Sequence, residues 1–243
     1  DFFFFFIHTM LSQPEIKHIN SLKIKKYRKK YLQFIAEGDK IIKELIEEGI
    51  ELVHIYAVKD VFLLKEVILV TENELNKITA LQHHYNSLAV FILPELEVEI
   101  KENEWVLLLD DIQDPGNMGT IIRTCDWFGI QKIICSHGCV DAWSPKVVQA
   151  SMASVGRVQV METDLNEWIS ERKLPIYGAV LDGNNYRKQD FSKKGVVLIG
   201  NEGHGISKKL QEKINFPITI PKKGNAESLN AAIATALILD KLN

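Results

Sequence analysis

From residue 105 onward, short apolar runs of strand length alternate with stretches of helical length, and this alternation limits the fold more than any other feature of the chain. Strands are expected at 105–110 (WVLLLD), 132–135, 157–161, 176–180 (IYGAV), 196–199 (VVLI) and 218–220. Helices are expected between and after them, at 118–128, 145–153, 164–172, 207–213 and 229–241. Strands separated by helices cannot pair as hairpins, so the pattern implies a parallel sheet with helices on its faces. A sheet of this kind puts ligands at the carboxyl ends of its strands. The loops that follow the strands are therefore where chemistry is to be sought.

The preceding region reads differently. Residues 13–49 carry a loose three-to-four spacing of Ile16, Ile19, Ile24, Tyr27, Tyr31, Phe34 and Ile35, interrupted at Glu37–Gly38. A second helix continues through Ile41, Ile42, Leu45 and Ile46 and ends at Gly49. A strand follows at 51–58, then a helix at 72–80 opened by the capping box Thr71-Glu72-Asn73-Glu74, then a buried strand at 88–93. The reading is a small α/β domain over residues 1–95, a linker at 96–104 and a larger α/β domain at 105–243. The first residues, DFFFFFIHTM, contain an apolar run from Phe2 to Ile7, far short of the ~20 residues a membrane span needs. Residues 1–10 are set apart as disordered or artefactual, and no membrane association is expected.

Charge separates the regions further. Net charge is −3, which does not suggest a wholesale nucleic-acid binder. Yet residues 17–30 hold seven Lys or Arg and no acid, whereas 94–104 hold five Glu against one Lys. Lys25, Lys26, Arg28 and Lys29, interleaved with Tyr27 and Tyr31, form a candidate RNA-binding face; a merely solvated helix face is the alternative. The three cysteines, Cys125, Cys135 and Cys139, lack paired CxxC spacing, so they read as reduced, mostly buried thiols of a cytoplasmic protein and not as metal ligands.

Three loops after strands could carry chemistry. In Asp114-Pro115-Gly116-Asn117-Met118-Gly119, proline and glycine force a turn, Asn117 is a natural N-cap, Gly119 permits close approach, and Arg123 follows one turn into the helix. A helix cap with a solvated arginine explains the same residues equally well. In Gly200-Asn201-Glu202-Gly203-His204-Gly205, three glycines leave backbone amides able to hold a ligand. His204 reads as a solvated side chain and is given no chemistry. Glu202 reads as an organiser of the local backbone. The third loop, Ile220 to Asn230, opens the last helix with Ser228 and Asn230 at its cap. No Walker motif, GxGxxG or GxSxG elbow competes with these loops.

Together the three loops resemble the motifs of the SpoU/TrmH family of RNA 2′-O-ribose methyltransferases in the SPOUT superfamily. Asn117, Gly119 and Arg123 match Asn-x-Gly-x-x-x-Arg; Gly200, Glu202 and Gly205 match Gly-x-Glu-x-x-Gly; Ile220, Pro221, Glu227, Ser228, Leu229 and Asn230 match the third motif. The stretches KIKKYRKKYLQFIAEGDKIIKE and LNKITALQHHYNSLAVF are similar to the family's ribosomal-protein-like substrate-binding domain. Departures are Ala231-Ala232 after Asn230, Lys222 and Lys223 in place of mostly neutral residues, and Ala153 where glycine is frequent.

The resemblance implies a deep trefoil knot in the parallel-sheet domain and a homodimeric enzyme. It also implies S-adenosyl-L-methionine bound through backbone groups of Gly200, Ile220 and Leu229, with the 178–183 turn nearby. By the same carry-over, Arg123, Asn117, Glu202, Ser228 and Asn230 form the catalytic set. Arg123 acts at the 2′-hydroxyl, and because a guanidinium stays protonated, phosphate clamping and charge stabilisation suit it better than proton abstraction. Asn117 positions Arg123 or the ribose, Glu202 organises the glycine loop and holds Arg123, and Ser228 and Asn230 fix the third loop and contact substrate. The N-terminal domain points to 23S ribosomal RNA. A tRNA ribose methyltransferase, a silent RNA-binding protein with this fold and a generic nucleotide-binding protein are the alternatives.

Overall fold

The computed structural model describes residues 11–81, 85–95, 99–101 and 103–242. The apolar run Phe2–Ile7, part of the 96–104 linker and part of the QHHYN segment lie outside these residues. The chain forms two compact units. One comprises the described residues up to Glu95 together with Trp143–Gly156; the other comprises the rest, up to Ala142 and from Arg157 onward.

The first unit contains α1 (Gln13–Ser21), α2 (Lys25–Tyr31), β1 (Gln33–Glu37), α3 (Asp39–Glu47), β2 (Leu52–Ala57), β3 (Val67–Leu69), α4 (Glu72–Ile78) and β4 (Ser87–Ile92). Its sheet runs β1-β4-β2-β3; β4 pairs antiparallel with β1 and β2, and β3 pairs parallel with β2. Thr71 and Glu74 form the expected capping box, and Ser12 with Glu15 forms a second one at α1.

Residues 33–37 correct the helical reading of that stretch. α2 stops at Leu32, which takes a left-handed conformation at φ 51°, and the chain leaves as a strand. Ile35 joins the core with Ile19, Leu22, Leu75 and Ile78, while Phe34 stacks on Phe91 at 5.4 Å and meets Trp143 at 4.6 Å. With both faces covered, the period-2 alternation of a half-exposed strand is lost, and Phe34-Ile35 mimics helical spacing.

The second unit contains β5 (Val106–Leu109), α5 (Pro115–Trp127), β6 (Lys132–Cys135), β7 (Gln159–Glu162), α7 (Leu165–Ser170), β8 (Ile176–Asn185), β9 (Val196–Ile199), α8 (Lys208–Gln211), β10 (Phe216–Thr219) and α9 (Ala231–Asp240); α6 (Pro145–Ser151) belongs to the first unit, where it packs on β1. The sheet runs β10-β8-β9-β5-β6-β7 and every pairing is parallel. Val106, Leu108, Ile134, Val196 and Leu198 pack with Trp168, Leu165, Ile206 and Leu210. The chain steps outward from β5 through β6 to β7, then crosses to β5's other side to lay down β8 and, between β8 and β5, β9, so the loops after β5 and β9 open where the winding reverses. Open α/β sheets place their binding crevice at such a point.

Candidate active site

Asp114, not Asn117, caps α5: its Oδ1 accepts the Asn117 backbone N–H at 2.8 Å, and Pro115 takes the first helical position. This differs from the sequence expectation. Asn117 lies inside the first turn, so its side chain is not consumed in capping and reaches across to the loop after β9. There its Nδ2 donates to Glu202 Oε1. Asn230 Nδ2 donates to Asn117 Oδ1 at 2.9 Å and to Glu202 Oε1 at 3.0 Å. Asn230 Oδ1 in turn caps α9, accepting the N–H groups of Ala232 and Ile233 at 3.0 and 3.2 Å. The Ala231 N–H adds a contact of 3.3 Å to Glu202 Oε1. One carboxylate thus joins the starts of α5 and α9, and the positive end of α9 favours a negative charge there.

Three of the five catalytic candidates therefore meet in one network. The other two do not join it. Arg123 is exposed on α5, and Ser228 is exposed in the loop before α9; among the described residues neither side chain makes a hydrogen bond or ion pair. Glu202 does not hold Arg123, contrary to the role carried over from the family; its partners are Asn117, Asn230 and the α9 N-terminus. α5 and α9 pack on each other, with Gly119 on α5 and Ala231, Ala232 and Thr235 on α9 buried.

The residues assigned to the methyl donor fall on the same edge of the sheet. At Gly200 a Cβ would lie 2.3 Å from the backbone of Gly205 and Ile206. Only glycine lets the loop close on itself through the paired backbone of Asn201 and Gly205. Ile220 is half-buried, and residues 221–229 are all exposed. Among the described residues, 221–229 form no hydrogen bonds, so their backbone donors and acceptors are available to a ligand. In β8, pairing with β10 jumps from Gly178 to Asn184. The intervening 179–183 segment bulges out, and Thr219 Oγ1 donates to the Leu181 carbonyl at 3.0 Å.

Several residues at this edge escaped the sequence reading. Asp110 is buried, and its carboxylate accepts the Ser207 N–H at 2.8 Å. Asp111 takes a left-handed conformation at φ 59° and contacts both His204 and Asn201. The cysteines are free and buried. Cys139 Sγ accepts the Ile112 N–H at 3.2 Å, and hydrogen bonding from Cys135 pulls its thiol down to about 7 against the cost of burial. A non-glycine residue at the tight turn ending β5 was the available signal for Asp111, whereas nothing local marked the cysteine contact.

On the first unit, Lys26 and Lys29 are exposed and Lys25 is half-buried. Arg28 is a correction. It is buried, and its guanidinium donates to the Leu22 carbonyl at 2.7 Å, holding the turn between α1 and α2. Lys23 is likewise committed to structure, donating to the Thr79 carbonyl at 2.6 Å. Lys30 is exposed, with its ammonium 5.3 Å from the Tyr31 ring centre, and Tyr31 stacks on Tyr27 at 6.3 Å. Among the described residues no helix is long and apolar enough to cross a membrane.

Residues 104–240 match the model of the SpoU rRNA Methylase family, and residues 13–89 match that of the MRM3-like substrate binding domain. The chain is 29% identical over 236 residues to the 23S rRNA (guanosine(2553)-2′-O)-methyltransferase RlmP of Bacillus subtilis, covering 93% of this chain and 94% of that protein. Among solved structures, an AdoMet-bound rRNA methyltransferase from Sinorhizobium meliloti superposes with a TM-score of 0.86 at 30% identity, covering 96% of this chain and 95% of its own. A TrmH-family protein from Porphyromonas gingivalis gives 0.85 at 34% identity, covering 96% and 98%.

Proposed function

Because this chain belongs to the SpoU rRNA methylase family, we propose that it transfers the methyl group of S-adenosylmethionine to a ribose 2′-hydroxyl of 23S ribosomal RNA. The observation that carries the reading is the Asn117–Glu202–Asn230 network, which draws all three motif loops to the reversal point of one parallel sheet. The free backbone groups of 221–229 and the closed glycine loop suit a donor held through main-chain contacts at Gly200, Ile220 and Leu229. The bound donor supplies an electrophilic methyl on a sulfonium.

The protein's own residues align the hydroxyl with that methyl, and well-oriented systems gain roughly 7–11 kcal/mol from alignment alone. Arg123, exposed and without a protein partner among the described residues, clamps the target phosphate and stabilises negative charge on the attacking oxygen. Asn117 and Asn230, locked to Glu202, hold the start of α5, the helix that carries Arg123, and the end of the loop that carries Ser228. A division into 1–95 for substrate and 105–243 for catalysis is supported by the two family matches, with Trp143–Gly156 packed into the first unit and the knot of the family in the second.

The homodimer belongs to the same reading: Trp127, Leu181, Leu229 and Ile233 expose large apolar surface on the second unit, which suits a self-association face. A cytoplasmic setting follows from a ribosomal RNA substrate. The match of residues 13–89 to a substrate-binding domain favours ribosomal RNA over tRNA. The test is methyl transfer from labelled donor to unmodified 23S rRNA and to bulk tRNA. Label in a single 2′-O-methylated nucleotide of the former is expected; label in tRNA alone would overturn the substrate, and no donor binding would overturn the activity.

A further inference from the structure

The turn after β5 is built around a strained aspartate. Asp111 occupies the left-handed region at φ 59°, which acidic and amide side chains tolerate better than most but which glycine fills without strain. Four kinds of contact hold it there. Its N–H donates to Ser136 Oγ at 2.9 Å. Its Oδ1 accepts from Gln113 Nε2 at 3.0 Å, and its Oδ2 meets His204 Nε2 at 2.9 Å. Its carbonyl accepts from Asn201 Nδ2 at 2.8 Å.

The last two contacts land on the loop after the neighbouring strand. Asn201 Oδ1 accepts the Gly203 N–H at 2.7 Å, and Asn201 and Gly205 exchange backbone hydrogen bonds of 3.1 and 2.8 Å. One residue at the end of β5 thus grips the glycine loop at its start and near its end, on either side of Glu202. Space for the carboxylate is left by Gly138, where a Cβ would lie 2.3 Å from Asp111 Oδ1. A residue needed only to end the strand would have no use for a carboxylate reaching His204.

We propose that Asp111 is a positioning residue that, through His204 and Asn201, sets the geometry of residues 200–205 and thereby the affinity for the methyl donor. The inference rests on the donor site proposed above. Calorimetric titration of the full-length protein with S-adenosylmethionine, alongside thermal melting, tests it. Asp111→Gly removes the carboxylate while relieving the backbone, and Gly138→Ala displaces the carboxylate without altering Asp111 or His204.

Both are expected to weaken donor binding about fivefold with melting unchanged, in line with a partly exposed charged contact. Asp111→Asn keeps an acceptor and tolerates the left-handed turn, so it should restore affinity to within about twofold. Adding His204→Ala to Asp111→Gly should cost nothing more, because one interaction is removed once. Wild-type affinity in both Asp111→Gly and Gly138→Ala would overturn the inference alone. A wild-type protein that does not bind the donor would overturn the donor site and the inference together.

Discussion

The Asn117–Glu202–Asn230 network and the residues around it treat polarity in opposite ways. Within the network nearly every polar group is spent on another: amide on carboxylate, amide on amide, carboxylate on helix N-terminus. Beside it, the Arg123 side chain and the whole 221–229 stretch, Ser228 included, are exposed and make no hydrogen bond among the described residues. Satisfied groups gain rigidity and lose the capacity to bind anything else; unsatisfied exposed groups are solvated until a ligand arrives. The difference separates framework from contact surface. Residues that sequence reasoning pooled as one catalytic set fall into two classes with different mutational signatures.

The largest effect should come from the contact class. Arg123→Ala is expected to lower single-turnover methyl transfer about a thousandfold, as loss of a preorganised charge-stabilising donor does. Donor affinity and melting temperature should be unchanged, because Arg123 supports nothing in the fold. Near-wild-type turnover would remove Arg123 from the chemistry and erase the contrast drawn above.

Gly200→Val probes the boundary between the classes. The added side chain meets backbone, not a movable side chain, and such overpacking costs about 1–3 kcal/mol. The loop should open, and donor affinity should fall roughly ten- to a hundredfold while the sheet stays folded by circular dichroism. Unchanged affinity would place the donor elsewhere.

The framework class predicts the reverse pattern. Asn230→Ala removes the α9 cap and two amide contacts, so urea denaturation should show a loss of about 1–2 kcal/mol. Glu202→Gln keeps an acceptor of the same shape and should cost less. If Asn230→Ala leaves stability intact and abolishes only turnover, the network is contact surface after all.

How much of this could be read from the sequence depends on whether the governing interaction was local. The strands of the parallel sheet were legible because each is a short apolar run bounded by turns, and their order in the chain fixes the helices between them. The convergence of the three loops followed from that architecture, but the hydrogen bonds did not: Asn117 and Asn230 meet across 113 residues. β1 was read as helix because Phe34 and Ile35 are buried on opposite faces. The role of Trp143–Gly156 in the first unit was hidden for a similar reason, since Trp143 meets Phe34 and Gln149 Nε2 meets the Tyr85 hydroxyl at 2.9 Å only after folding. Asp114 and Asn117 are both good capping residues, and Pro115, fixed at the first helical position, decides for Asp114.

Burial divides the charges of the basic stretch in the first unit, and this division yields the smallest and most diagnostic effect. Seven cations in 17–30 look equivalent in sequence. In the fold, Arg28 is buried on the Leu22 carbonyl and the half-buried Lys23 is hydrogen-bonded to that of Thr79, so both charges are already engaged. Lys26, Lys29 and Lys30 are exposed, beside the Tyr27–Tyr31 stack. If these three lysines meet single-stranded phosphates, each contributes a log–log salt slope of about −0.7. Replacing all three by Gln should then flatten the slope of RNA binding by about two and lower affinity roughly fivefold at physiological salt. Donor binding should be untouched. Arg28→Gln should do the opposite, lowering the melting temperature through a broken buried contact with little change in slope. Filter binding of 23S rRNA fragments across a salt series, run on wild type and both variants, separates the two. Parallel lines for the triple variant and wild type would mean that this helix is a solvated face and that RNA is selected by the parallel-sheet unit. A flattened slope for Arg28→Gln would mean that burial does not decide which of these charges reaches the substrate.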